Sequence, residues 1–80
     1  PRKLSYKERE ELEALPAEIE GMEAEQMQLH ETLSSPSFYR LESGRVSETK
    51  GRLELLEKAL ETAYGRWESL EAIREGLTLR

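Results

Sequence analysis

Apolar residues in this chain recur in alternating steps of three and four. From Leu12 they fall at Leu15, Ile19, Met22, Leu29 and Leu33, with Gln26 in the one polar slot. A second run, Val46, Thr49, Leu53, Leu56, Leu60, Ala63, Trp67 and Leu70, repeats the alternation. That period is the a/d stripe of a coiled coil, and a stripe of this kind has to be buried against another. Between the two runs lie Pro36 and Gly44 among several serines, a stretch that interrupts a helix. A chain of 80 residues has nothing else against which to bury both stripes, so the helices must fold back on each other. The expected fold is all-α, an antiparallel two-helix coiled-coil hairpin that forms a single domain over residues 1–80.

Register follows from arithmetic, because facing positions in an antiparallel pair have numbers that sum to a constant. Leu33 with Thr49, Leu29 with Leu53, Gln26 with Leu56, Met22 with Leu60, Ile19 with Ala63, Leu15 with Trp67 and Leu12 with Leu70 all sum to 82. Each layer then sets an a residue against a d residue, with small Ala63 facing Ile19 and large Trp67 facing Leu15. Gln26 and Thr49 read as polar residues that set the register. Trp67 reads as core, and Phe38 as a plug for the open end of the seam.

Local signals divide the chain. Ser5-Tyr6-Lys7-Glu8 fits a capping box, in which hydroxyl and carboxylate each satisfy one free backbone N–H. Pro16 lacks a backbone donor and its ring crowds the preceding turn, which predicts a short helix over 5–15, broken at Pro16, and a long helix over 16–34. Ser35-Pro36-Ser37 predicts a tight helical turn carrying Phe38 and Tyr39, within a tip over 35–44 that Ser43 and Gly44 close. The second long helix is expected over 45–75, with Gly76 as its stop and a tail over 76–80.

Composition excludes several classes of function. All 17 acidic residues are Glu, and Asp, Asn and Cys are absent, which favours helix and rules out a disulfide scaffold or a thiolate metal site. His30 stands without a second His, so no metal is expected. A two-helix hairpin offers no water-excluding pocket, and the chain has no GxxxxGK[ST] phosphate loop, so neither catalysis nor a bound cofactor is expected in it. No apolar run approaches the roughly 20 residues needed to span a bilayer, and no charged-then-apolar leader opens the chain. The expected setting is the cytoplasm, without membrane contact. A chain that opens at Pro1 rather than Met is expected to be a piece of something longer.

Charge is distributed in blocks within a net of −5. Residues 1–9 carry Arg2, Lys3, Lys7 and Arg9 against Glu8, a net of +3, and residues 10–39 carry eight Glu and no Lys or Arg. Arg40, Arg45, Lys50 and Arg52 stand against Glu42 and Glu48 around the tip, a net of +2, while residues 53–80 come to −2. A polyanion is repelled by the acidic flank and accepted only at the tip or the amino end. The candidate nucleic-acid contacts are therefore Arg40, Arg45, Lys50 and Arg52, with Tyr39 to stack on bases and Lys3, Lys7 and Arg9 as a second patch.

Three blocks carry a family resemblance. They are Leu4-Ser5-Tyr6-Lys7-Glu8 with Leu15-Pro16, then Ser35-Pro36-Ser37-Phe38-Tyr39, then Ala63-Tyr64-Gly65-Arg66-Trp67-Glu68-Ser69-Leu70-Glu71. In this order they resemble the C-terminal domain of ABC-F ATPases of the Uup type, over nearly the whole chain. The resemblance implies a parent with two ATP-binding cassettes and no membrane domain, whose coiled-coil tail binds DNA. It also implies ATP sites outside this chain and a parent that works at the ribosome, which makes RNA a further partner. Where the family often has Asp before the tip proline this chain has Ser35, and Gly21 and Gly65 replace helix-favouring residues. A protein docking arm that touches the parent's cassettes or the ribosome is the alternative function, with off-seam Met27 and Leu55 in its contact surface. A plain spacer is the third.

Overall fold

The computed structural model of the chain describes residues 2–76 apart from residue 42. Helix α1 spans Tyr6–Leu33, α2 spans Pro36–Leu41 and α3 spans Ser43–Arg74. The first helix starts where its capping box is made: Ser5 Oγ accepts from the Glu8 N–H at 3.1 Å, and the Glu8 carboxylate accepts from the Ser5 N–H at 3.0 Å. At the same base of the hairpin, where α3 ends, Gly76 adopts φ of 75°, a left-handed conformation that suits glycine, and donates its N–H to the Ile73 carbonyl at 3.1 Å. The expected tail beyond it, 77–80, lies outside the described residues.

Two of the expected boundaries need correction. Helix α1 runs without interruption through Pro16, so the division into helices over 5–15 and 16–34 is not made. Leu12 and Leu15 before the proline and Ile19 after it are all buried in the seam, whereas Pro16 itself is exposed. Burying three large aliphatic side chains contributes about 1.5–3 kcal/mol each, which outweighs the roughly 3 kcal/mol that a proline costs inside a helix. The second correction concerns Ser43 and Gly44, which open α3 instead of closing the tip, so that helix begins two residues before 45. Their backbone donors fall in a first turn, where N–H groups have no intrahelical partner in any case.

The core is the predicted seam. Leu12, Leu15, Ile19, Leu60, Ala63 and Leu70 form one buried cluster, and Leu4, Met22 and Trp67 pack on it half-buried. Leu53 and Leu56 are also buried, but Gln26, Leu29, Leu33, Val46 and Thr49 are only half-buried, so the seam thins toward the tip. There the two-turn helix α2 lies against both long helices, and its Phe38 is half-buried. The molecule is 56 Å long and 24 Å by 15 Å in section.

Polar pairs flanking the seam fix its register independently of the apolar residues. With a and d positions summing to 82, g positions of the two helices meet at a sum of 77 and e positions at 87, because g precedes a by one residue and e follows d by one, which shifts the sum of a facing pair by five. Glu25 with Arg52 and Glu11 with Arg66, both ion-paired, sum to 77. Glu23 with Tyr64, hydrogen-bonded, and His30 with Glu57, 3.8 Å apart, sum to 87. All four pairs agree with 82 and none with a register shifted by a heptad.

Two substitutions test this packing by urea denaturation followed by circular dichroism. Leu70→Ala, at the most deeply buried position, is expected to cost about 2–5 kcal/mol. Pro16→Ala is expected to stabilise the chain by about 1–3 kcal/mol, because the exposed ring makes no packing to lose; a loss of stability would show that the proline marks a true helix boundary.

Candidate functional site at the hairpin tip

The tip is built by α2 crossing the end of the two long helices. The third residue of α2, Phe38, is half-buried and its fourth, Tyr39, is 41% exposed, with the two rings meeting edge-on at 6.2 Å between centroids. Lys50, on α3, sets its Nζ 5.9 Å from the centroid of the Tyr39 ring, a cation–π contact that ties the short helix to the long one. Arg40 and Arg45 are also exposed, Arg45 on the g side of α3 and Lys50 on its e side. Among the described residues, no carboxylate lies within ion-pairing distance of Arg40, Arg45 or Lys50.

Arg52 stands differently from the other three. Its Nε and Nη2 donate to both oxygens of Glu25 at 2.6 and 2.8 Å, a bidentate clasp across the seam. Hydrogen bonding and charge from Arg52 hold the Glu25 carboxyl below the usual carboxylate range. Of the four tip cations read from the sequence, three are thus offered to solvent and one is committed to the fold. Lys3, Lys7 and Arg9, the second patch, are exposed but lie at the opposite end of the 56 Å hairpin. Lys3 and Arg9 there line a shallow groove with Leu4, Ile73 and Arg74, and Arg74 pairs with Glu71.

Clasps along the seam are the feature that composition did not reveal. Arg66 grips Glu11 with two hydrogen bonds of 2.7 and 2.9 Å, and Arg2 grips Glu8 with two of 2.7 and 2.8 Å. Arg66 also comes within 4.0 Å of Glu8, so Arg2, Glu8, Arg66 and Glu11 form one chain of alternating charge at the base. The Tyr64 hydroxyl bonds to Glu23, which raises the pKa of the phenol. The legible signal was heptad position: each of these cross-helix partners occupies g or e, apart from Glu8 and the N-terminal Arg2.

Heptad position also divides the surface charge between two flanks. On the e side, positions b and e carry Glu13, Glu20, Glu23, Glu54, Glu57, Glu61, Glu68 and Glu71 against only Arg9 and Lys50. On the g side, Glu11, Glu18, Glu25 and Glu48 are matched by Lys7, Arg45, Arg52 and Arg66. One flank is strongly acidic and the other is neutral. Met27, 64% exposed, belongs to the acidic flank, and Leu55, 65% exposed, to the neutral one. They sit on opposite sides of the hairpin, so the single contact surface expected of them does not form.

Among the described residues, no group of three or more His or Glu could hold a metal ion, and no helix is long and apolar enough to cross a membrane. Residues 3–72 match the family model described as the ABC transporter C-terminal domain. The chain belongs to that family. It is similar to the ATP-binding protein Uup of Escherichia coli strain K12, 36% identical over 74 residues that make up 92% of this chain and 12% of that protein. It is likewise 39% identical over 69 residues to the Uup-like ATP-binding protein of Haemophilus influenzae, covering 86% of this chain and 15% of that one. A second Haemophilus influenzae protein, ATP-binding protein Uup, matches at 39% over 69 residues, 11% of its length. These likenesses place the chain with the C-terminal domains of the Uup type of ABC-F protein, and it spans between a tenth and a sixth of those relatives. No solved structure matches it.

The base cluster gives a pH prediction. Hydrogen bonds from Arg2 and from the Ser5 backbone hold the Glu8 carboxyl down from an ordinary 4.5 to about 2. Its folded pKa lies below its unfolded one, so its contribution to stability is present above about 4.5 and is lost as pH falls toward 2. Carboxyl carbon shifts followed by NMR are expected to show Glu8 titrating last among the glutamates, and Arg2→Ala is expected to move it back toward the ordinary value. An unchanged Glu8 titration in that variant would remove the clasp from the account.

Proposed function

We propose that this chain is a non-catalytic nucleic-acid-binding domain of an ATP-binding parent, with DNA as its ligand and the hairpin tip as its point of contact. One observation carries the reading: exposed Tyr39 lies against Lys50, with Arg40 next to it in the chain and Arg45 exposed at the start of α3, at the projecting end of a hairpin whose e flank is acidic. A polyanion approaching the side of the hairpin meets repulsion, and one approaching the tip meets three cations and an aromatic face. Binding of this kind rests on the phosphate backbone. The helices carry no cluster of Arg, Asn and Gln placed to read base edges, so sequence selection is expected to be weak. ATP turnover belongs to the parent's cassettes, outside this chain, and the cytoplasm is the setting that goes with such a parent. Structured RNA, including the ribosome, presents the same phosphate chemistry and is the comparison ligand.

Fluorescence anisotropy of labelled duplex DNA, single-stranded DNA and a structured RNA, titrated at two or more salt concentrations, tests the proposal. Three engaged cations give an expected slope of log affinity on log salt of about −3. Arg40→Glu with Lys50→Glu is expected to weaken binding at least about tenfold and to flatten that slope, while Lys3→Glu with Arg9→Glu at the far end leaves both nearly unchanged. Equal losses from tip and base variants would contradict a tip site, and a consistent preference for RNA would redirect the proposal to the ribosome.

A further inference from the structure

The neutral flank of the hairpin carries a ladder with two open rungs. At intervals of seven, α1 presents Glu11, Glu18, Glu25 and Thr32 in its g positions, and α3 faces them with Arg66, Ala59, Arg52 and Arg45. Glu11 with Arg66 and Glu25 with Arg52 are closed by bidentate ion pairs. Between them Glu18 faces Ala59, whose methyl group offers no charge. Glu18 lies in a shallow groove floored by Leu15, Met22, Ala59 and Ala63, and Lys58 and Arg66 line the same groove without coming within ion-pairing distance of Glu18. Beyond the other closed rung, Arg45 faces Thr32, whose hydroxyl is turned back onto the Gln28 carbonyl of its own helix at 3.0 Å.

The two open rungs are complementary and evenly placed. Each lies seven residues, or about 10.5 Å along the helix, from the central Glu25–Arg52 pair, and among the described residues one rung holds an anion without an ion-paired cation and the other a cation without an ion-paired anion. Leu55, 65% exposed on the same flank, lies one turn from Arg52 and level with the middle of that central rung. A two-fold axis lying in the plane of the flank and crossing the helices at that level exchanges the open rungs. It brings Glu18 of each copy toward Arg45 of the other and sets Leu55 against Leu55.

We propose that the neutral flank is a self-association surface, and that its occupant is a second copy of this chain laid antiparallel across it. Self-complementary charge is what an isologous two-fold contact requires, since every contact between unlike residues occurs twice. Charge partition selects the same face. Bringing two e flanks together would oppose two strongly acidic surfaces, whereas joining two g flanks adds no net charge and leaves the acidic sides facing outward. Tyr39, Arg40 and Lys50 stay at the ends of such a pair, so each dimer presents two tips pointing in opposite directions, while Arg45 is shared between the tip and the contact. Exposed ion pairs contribute little singly and the apolar contact centres on Leu55, so the association is weak.

Sedimentation equilibrium of the 80-residue chain, without nucleic acid, tests this from about 10 μM to about 1 mM, the range of a weak contact. A reversible monomer–dimer equilibrium is expected. Glu18→Arg is expected to weaken it about tenfold, since attraction becomes repulsion at two symmetric sites, and Leu55→Glu is expected to abolish it. Both side chains lie on the surface, so helicity is expected to be unchanged in these variants. Adding Arg45→Glu to Glu18→Arg is expected to restore the dimer, because the swapped charges again meet in pairs. A monomer throughout the range would overturn the proposal. So would a dimer indifferent to both Glu18→Arg and Leu55→Glu, which would signify exchange of helices along the seam.

Discussion

Everything in this hairpin depends on the interdigitation of a and d residues at one register. Leu12, Leu15, Ile19, Leu60, Ala63 and Leu70 form the buried cluster, and its layers are strict enough that a slip by one heptad would move each residue about 10.5 Å past its partner. The layers carry α1 through Pro16 without a break and dictate which charged residues meet across the flanks. They also set where the seam runs out, because Gln26 and Thr49 weaken it toward the tip, where α2 lies against both long helices. Buried apolar area drives the association, and the polar pairs report and refine its alignment.

From that alignment comes the separation of charge. A chain of net charge −5 could spread its glutamates evenly, but the heptad positions gather eight of the seventeen on the e side and balance the g side. The same positions decide which cations are available. Arg52 and Arg66 have a glutamate at the matching g position and are used in clasps; Arg45, facing Thr32, is not. Availability at the tip is therefore a consequence of register as much as of local composition, and a one-heptad shift would have freed a different set of arginines.

Much of this was legible in the sequence, for definable reasons. The three-and-four spacing has one meaning in a short chain, and the sum of 82 follows from it, as the flank pairs independently require. The capping box at Ser5 and the stop at Gly76 are local hydrogen-bond patterns, readable without knowledge of the rest. Pro16 was misread because its cost is local while the compensating burial of Leu12, Leu15 and Ile19 is tertiary. Ser43 and Gly44 were misread for a related reason: the residues that favour turns are also tolerated in a helix's first turn. Among the candidate contacts, block charge located the tip correctly but could not distinguish Arg52 from Arg45, because that distinction lies in cross-seam partners. Met27 and Leu55 looked alike as off-seam apolar residues, and only their b and c positions place them on opposite flanks.

The register is the point at which the account is most exposed, and the single tryptophan makes it measurable. In a two-dimensional NOE spectrum, the Trp67 indole protons are predicted to show cross-peaks to the Leu15 methyl groups and none to the methyl of Met22, which lies about 10.5 Å farther along α1. Cross-peaks from Trp67 to Met22 in place of Leu15 would establish a seam shifted by one heptad. The g-side ladder, the neutral flank and the assignment of free cations at the tip would then all have to be redrawn.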